Sequence, residues 1–365
     1  MKKLQECYDE VYKCSKCGLC QGVCPVFKVT KNEAALSRGK FLMILKYLEG
    51  KIPFSSTMRK YLDMCTFCGA CSNFCPSGID AQKIFTLAKF EKNFFGQKII
   101  NFLQKLIFDS LFLVRKMAKI TPSDGKNTSK NTPNSGRVIF FEGCFSKIFN
   151  QKMTRTSIEL LKKINYEVFT PNFTCCGIVA QSAGNKELFE EQIRKNIAIM
   201  QEKNVDYIIF DCASCLETVK NYDKYLQIEG FGQIKSKCIS ILEFLQLKKA
   251  KFKSAKKLAI TYHKPCHLDY DVQEMLENIE NVDYIKMNDF DKCCGFSGKF
   301  AISNNKIAKE MFKSKAENIS KTPAEIVLTF CPSCILGLKE AKKYTKKKFK
   351  IMNIVEFLEN LEITS

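Results

Sequence analysis

Cys14-Ser15-Lys16-Cys17-Gly18-Leu19-Cys20-Gln21-Gly22-Val23-Cys24-Pro25 and Cys65-Thr66-Phe67-Cys68-Gly69-Ala70-Cys71-Ser72-Asn73-Phe74-Cys75-Pro76 are two copies of one pattern. In each, three cysteines are separated by two residues, and a fourth stands before proline. Three soft thiolates in one tight turn can cap three irons of a cubane, while the fourth points back to a second cluster. The spacing therefore implies two [4Fe–4S] cubanes with crossed ligation, Cys14, Cys17, Cys20 and Cys75 on one, Cys65, Cys68, Cys71 and Cys24 on the other. Zinc and disulfides are the competing readings. Structural zinc uses paired cysteines or a cysteine pair with a histidine pair, not three evenly spaced cysteines with a fourth before proline. The chain has 20 cysteines, and its first residues, MKKLQECYDEVYK, hold no apolar core for a signal peptide. Metal ligation in a reducing cytosol is expected rather than a disulfide framework.

At 365 residues the chain is long enough for two or three domains. Residues 1–120 are read as a helical dicluster unit of the type found in bacterial ferredoxins. Between its motifs, Glu33 to Gly50 has the period of an amphipathic helix, with Leu42, Ile44, Leu45 and Leu48 expected on the buried stripe. Phe94 to Ile120 is apolar but interrupted by Gln97, Lys98, Gln104, Lys105, Asp109, Arg115 and Lys116, too often to span a bilayer. It is expected to pack against the protein or a partner, with an interfacial membrane helix as the alternative. Residues 121–136, rich in Ser, Thr, Asn, Pro and Gly, read as a flexible linker.

Beyond the linker the chain repeats. Arg137-Val-Ile-Phe-Phe leads to Cys144, and Leu258-Ala-Ile-Thr-Tyr leads to Cys266. Cys175-Cys176-Gly177 answers Cys293-Cys294-Gly295, and Cys212-Ala-Ser-Cys215 answers Cys331-Pro-Ser-Cys334. Ile239-Ser-Ile-Leu-Glu-Phe-Leu likewise matches Met352-Asn-Ile-Val-Glu-Phe-Leu. The offset stays between 113 and 122 residues, so 137–250 and 251–365 are read as two copies of one domain. Strands alternate with helical segments such as Lys186 to Lys203 and Asn305 to Ser320, which implies a small α/β domain with a mostly parallel sheet. Each copy gathers five cysteines near strand ends, where such sheets bind ligands. Adjacent thiolates suit different irons of one cluster better than a single metal ion, and five exceed what tetrahedral zinc needs. Zinc or reactive thiols remain the alternatives. Cys7 and Cys238 fall outside every motif and read as ordinary thiols.

This arrangement resembles the paired CCG domains of the heterodisulfide reductase B-subunit family. Preceded by tandem [4Fe–4S] motifs, it is similar to the glycolate oxidase iron–sulfur subunit, to the C component of anaerobic glycerol-3-phosphate dehydrogenase and to the D component of heterodisulfide reductase. Ser37-Arg38-Gly39-Lys40 and Cys75-Pro76-Ser77-Gly78-Ile79-Asp80 add to the likeness. It implies one or two further iron–sulfur clusters, of the non-cubane type, on Cys144, Cys175, Cys176, Cys212 and Cys215 and on Cys266, Cys293, Cys294, Cys331 and Cys334. Two departures bear on substrate chemistry rather than on cluster binding. His263-Lys264-Pro265-Cys266-His267 has lysine where the family often has aspartate, and Phe296-Ser297-Gly298-Lys299 stands where a glycine-rich stretch often follows.

The formal charge of +20 counts cysteines as neutral, and two oxidised cubanes with their thiolates would remove roughly four units. The rest fits a solvated surface or a partner or membrane face, since no nucleic-acid motif accompanies it. His263 and His267, the only histidines, flank Cys266 and are candidates for proton relay or for a hydrogen bond to a sulfur. With no G-x-G-x-x-G fingerprint and no P-loop, hydride chemistry is expected on a separate FAD-dependent dehydrogenase subunit. The resemblance implies glycolate, lactate or glycerol 3-phosphate as its substrate and a membrane quinone as acceptor. The chain is then cytoplasmic, peripheral on the inner membrane face. Disulfide reduction at the CCG sites is the alternative.

Overall fold

A computed structural model of the chain describes residues 1–91, 135–202 and 204–364. The segment Phe94 to Ile120, and the stretch read as a linker apart from Ser135 and Gly136, lie outside the described residues. Residues 1–91 contain short helices and no strand. Two are started by side chains that accept amide hydrogens, Ser55 from Met58 and Asp80 from Lys83. Pro25 opens the helix Pro25–Thr30, and Cys24 Sγ caps it by accepting from the Phe27 amide at 3.5 Å.

The expected amphipathic helix runs Ser37–Leu48 after a 3₁₀ turn, Glu33–Ala35, but its buried face is Ser37, Lys40, Phe41 and Ile44. Leu42, expected in the core, is 44% exposed. The aromatic ring decides the rotation: Phe41 packs on Phe85, ring centroids 5.2 Å apart. Lys40 follows it inward because its ammonium donates to the Met64 carbonyl at 2.9 Å. Leu45 and Leu48 are half-buried at the edges of this face.

The repeat forms two sheets. In the first, β1 (Arg137–Phe141), β2 (Glu167–Phe169), β3 (Tyr207–Phe210) and β4 (Cys238–Ser240) lie in the order β2-β1-β3-β4, every pair parallel. In the second, β5 (Lys251–His263), β6 (Glu280–Tyr284), β7 (Ile326–Thr329) and β8 (Lys350–Asn353) lie in the matching order β6-β5-β7-β8. There β9 (Glu362–Thr364) pairs antiparallel with the start of β5. The central strands are apolar and buried on both faces, as Val138, Ile139, Phe140 and Phe141 show, because helices cover both sides. The helices Lys186–Gln201 and Asn305–Ser320 occupy corresponding places.

The parts interlock. Thr156 Oγ1, on the helix Gln151–Lys163, donates to Glu359 Oε2 at 2.9 Å, joining the first repeat to the last helix of the second. Val26 of the ferredoxin-type part shares a core patch with Ala308, Met311, Phe312 and Ala316. Between all three parts sits Asp63, 3.1 Å from Lys89, 3.4 Å from Arg59 and 2.9 Å from Lys299. Burial alone would push this carboxyl up, but the three cations hold it at about 2. Complete burial brings Lys89 down to about 8 against the pull of Asp63, so it is still largely charged at neutral pH. Lys299, close in sequence to Cys293 and Cys294, is engaged in this structural knot.

Candidate metal centres

The first ferredoxin-type motif loops over a cleft whose wall includes Cys14, Cys17, Cys20 and Cys75, with Arg38, Phe41 and Cys71. A second cleft is lined by Cys24, Cys65, Cys68 and Cys71, with Lys40 and Phe85. Burial pushes the Cys24 and Cys68 thiols up, and burial with the nearby Cys65 pushes Cys71 up to about 12. Clustered thiols of this kind favour a metal that replaces their protons. The Phe67 amide already donates to Cys65 Sγ at 3.4 Å, the kind of contact that steadies a thiolate ligand.

In the first repeat, Cys144 Sγ donates to Cys175 Sγ at 3.3 Å. Cys176 contacts Cys175 and Cys215, and Cys212 contacts Cys215, so all five sulfurs form one group. Donation from Cys144 and Cys176 holds Cys175 well below the ordinary thiol range. In the second repeat Cys294 and Cys334 lie 3.4 Å apart, Cys293 contacts Cys266 and Cys294, and Cys331 contacts Cys334. The glycines after each pair are left-handed, φ +98° at Gly177 and +82° at Gly295, and their amides donate to Cys175 Sγ (3.4 Å) and Cys293 Sγ (3.5 Å). Cys144, Cys212, Cys215, Cys266, Cys331 and Cys334 fall just past the carboxyl ends of β1, β3, β5 and β7, and the adjacent pairs lie in the loops that follow β2 and β6.

The four groups adjoin one another. Cys71 is on the wall of both clefts. Cys24, Cys68 and Cys266 pack against the patch that holds Cys293, and Cys266 is close enough to Cys68 to help push its thiol up. Cys212 and Cys331 are close enough across the two repeats to shift each other's thiol, with Ser214 Oγ 3.6 Å from Cys331 Sγ at the same junction. An unbroken row of sulfur sites thus runs from the amino-terminal motif to the first repeat.

His267 ties three parts together. Its Nε2 lies 2.7 Å from the Phe67 carbonyl and so donates, which leaves Nδ1 to accept from Ser214 Oγ at 3.0 Å. Ser214 Oγ in turn lies 3.6 Å from Cys331 Sγ. His263 is fully buried at the end of β5, its Nδ1 3.1 Å from the Phe290 carbonyl, and burial, with Lys315 adding to it, brings its pKa down to about 3. Cys7 and Cys238 are buried; Cys238 donates to the Ile234 carbonyl at 3.3 Å.

Sequence reading missed the buried cations. Lys40 faces the second cleft, Lys89 lies over the Phe67 ring at 4.6 Å, and Lys315 is buried beside the second repeat's cysteines with its ammonium on the Asp289 carbonyl at 2.6 Å. Only Lys40 carried a signal, its place in Ser37-Arg38-Gly39-Lys40. Each would offset part of the negative charge of thiolate-ligated iron held at these cysteines.

Helical cysteine clefts followed by paired parallel sheets with five cysteines each are the marks of an iron–sulfur protein. The chain matches the 4Fe-4S dicluster domain over residues 10–79 and the cysteine-rich domain over residues 138–220 and 260–339. It belongs to the family that joins these domains in this order. An uncharacterized iron–sulfur protein of Methanocaldococcus jannaschii is 26% identical over 80% of this chain, which spans only 61% of that relative. A probable glycolate oxidase iron–sulfur subunit of Bacillus subtilis is 23% identical, with 90% of this chain and 88% of the relative covered. The D component of a dihydromethanophenazine:CoB–CoM heterodisulfide reductase of Methanosarcina acetivorans is 24% identical, with 95% and 92% covered. A solved structure, a hypothetical protein from Helicobacter pylori, superposes with a TM-score of 0.59 at 10% identity over 99% of this chain and 74% of its own, a likeness of fold alone. Among the described residues no helix is long and apolar enough to cross a membrane.

Proposed function

We propose that this chain is the iron–sulfur subunit of a complex in which a separate FAD-dependent dehydrogenase oxidises glycolate, lactate or glycerol 3-phosphate and passes the electrons on towards a membrane quinone. The observation that carries this reading is the continuous row of cysteine groups, joined by Cys71, by Cys68 beside Cys266, and by Cys212 against Cys331. Cys14, Cys17, Cys20 and Cys75 would hold one [4Fe–4S] cubane and Cys65, Cys68, Cys71 and Cys24 the other. The five cysteines of each repeat would hold a further, non-cubane cluster. When bound, such clusters exchange single electrons, chemistry that no side chain of this protein offers by itself. The protein's own residues exclude water, neutralise charge through Lys40 and Lys315, and fix the junction through His267. Its place would be cytoplasmic, peripheral on the inner membrane face.

The contact between Cys212 and Cys331 also favours a second reading, reduction of a disulfide at the paired repeats. Two one-electron sites side by side suit a substrate that takes up two electrons and two protons and leaves as two thiols. Anaerobic purification of the tagged protein from its own host, with mass spectrometry of what accompanies it, separates the two. A stoichiometric flavoprotein is expected. Isolation alone with disulfide reductase activity, or with a hydrogenase or ferredoxin-linked partner, would replace the dehydrogenase reading with the second.

A further inference from the structure

The two repeats differ at one matched place beside their cysteines. His263 ends β5, in register with Thr329 on β7 and three residues before Cys266. The corresponding residue of the first repeat, three before Cys144 and in register with Phe210 on β3, is Phe141. Phe141 satisfies itself by stacking, with ring centroids 4.9 Å from Phe210 and 4.5 Å from Phe173. His263 brings two nitrogens to the same position, and both must be accounted for in a fully buried setting.

Nδ1 lies 3.1 Å from the Phe290 carbonyl, and a carbonyl oxygen only accepts, so Nδ1 carries the proton of the neutral ring. The lone pair is then on Nε2, which is buried and has no hydrogen-bond partner among the described residues. A bare lone pair cannot donate to a sulfur, which removes one of the roles the sequence offered for this histidine. A ring nitrogen of His263 and the Sγ atoms of Cys294 and Cys334 all lie within 4.8 Å of one another, and all three residues are buried. Metal-ligating histidines are commonly held in this way, one nitrogen donating to a backbone carbonyl and the other on the metal.

We propose that His263 Nε2 is a metal ligand of the second repeat's centre, which joins a nitrogen to its cysteine sulfurs while the first repeat's centre is ligated by sulfur alone. The assignment rests on the reading of these repeats as iron–sulfur sites. Imidazole adds no negative charge, and the buried ammonium of Lys315 stands beside the same cysteines. Both features raise the reduction potential of the second centre above that of the first.

The test is pulsed EPR on the full-length protein, purified anaerobically with natural-abundance or 15N-labelled histidine. A strongly coupled nitrogen that responds to the label is expected on one cysteine-rich centre. It should vanish in His263→Phe, which installs the first repeat's residue, and persist in His267→Gln. If His263→Phe does not fold, His263→Cys, which offers a thiolate instead, should retain iron, lose the coupling and lower that centre's potential. Iron in the second repeat without a histidine nitrogen, or a coupling that survives loss of His263, overturns the assignment while leaving the iron–sulfur reading intact. Wild-type protein with iron in the ferredoxin-type part only overturns both.

Discussion

Asp63 shows how one residue can decide whether the parts of this protein stay together. Its carboxyl is the counter-charge for Lys89 and Arg59 of its own part and for Lys299 of the second repeat. Lys89 and Arg59 also donate to the carbonyls of Ser182 and Ala183 in the first repeat, at 2.9 and 2.5 Å. Asp63→Asn removes one charge and strands two buried ones, so a loss of about 3–5 kcal/mol is expected in anaerobic denaturant unfolding. A loss below about 1 kcal/mol would mean that the knot contributes no more than an exposed ion pair. The carboxyl is held at about 2 instead of its ordinary 3.8, a difference of about 2 kcal/mol at most. Because the folded value is the lower one, that stability is present above pH 3.8 and disappears as the pH falls towards 2. The gap between wild type and Asp63→Asn should therefore narrow over that interval. Lys315 makes a second residue-scale case: its replacement by Met should lower the potential of the second repeat's centre by on the order of tens of millivolts in a redox titration, leaving the other centres unmoved.

At the scale of elements, the same turn in the two repeats is built with unequal tolerance. A Cβ on Gly177 would meet the Phe189 ring at 2.5 Å, whereas on Gly295 it would meet Met311 and Phe312 at 3.2 and 3.4 Å. Both positions are left-handed, so each alanine substitution costs about 1–2 kcal/mol in backbone strain. Gly177→Ala carries the ring clash in addition and should be the more damaging, as relative unfolding midpoints and iron contents of the two variants will show. Element boundaries also separate what periodicity reveals from what it hides. The strand cores after residues 137 and 258 stand out as apolar runs, but β5 begins at Lys251, in a lysine-rich stretch that is a strand because β9 pairs with it. The helix Ser37–Leu48 has apolar residues on more than one side, and only the packing of Phe41 on Phe85 selects its buried face.

For the whole molecule, function depends on sites in sequence order being adjacent in space in a different order. The ferredoxin-type part packs on both repeats, but its cysteines meet those of the second repeat, through Cys68 and Cys266, and the first repeat's cysteines follow, through Cys331 and Cys212. Cys24→Ser should deplete iron in the cleft lined by Cys65, Cys68 and Cys71, spare the cleft of Cys14, Cys17 and Cys20, and so interrupt the row near its middle. Rapid-mixing reduction would then show the repeats filling more slowly than in wild type. Cys294→Ser should instead deplete the second repeat alone, with both ferredoxin-type spectra unchanged; equal loss from every site would contradict independent cysteine groups.

Taken by itself, the sequence was sufficient for whatever depends on neighbours along the chain. Cysteine spacing marked the two clefts, internal repetition marked the paired parallel sheets, and apolar runs marked their central strands. Contacts between residues far apart in the chain leave no such trace. His267 reaches the Phe67 carbonyl across 200 positions, and Ser214 reaches Cys331 across 117. That His263 is buried beside Cys294 and Cys334 with Nε2 unpartnered, that Lys40, Lys89 and Lys315 are buried, and that the second repeat's cysteines lie between those of the first repeat and those of the ferredoxin-type part were decided only by tertiary packing. Spacing fixes which groups one turn can bring together, whereas burial and docking fix which of them lose water and must find a partner.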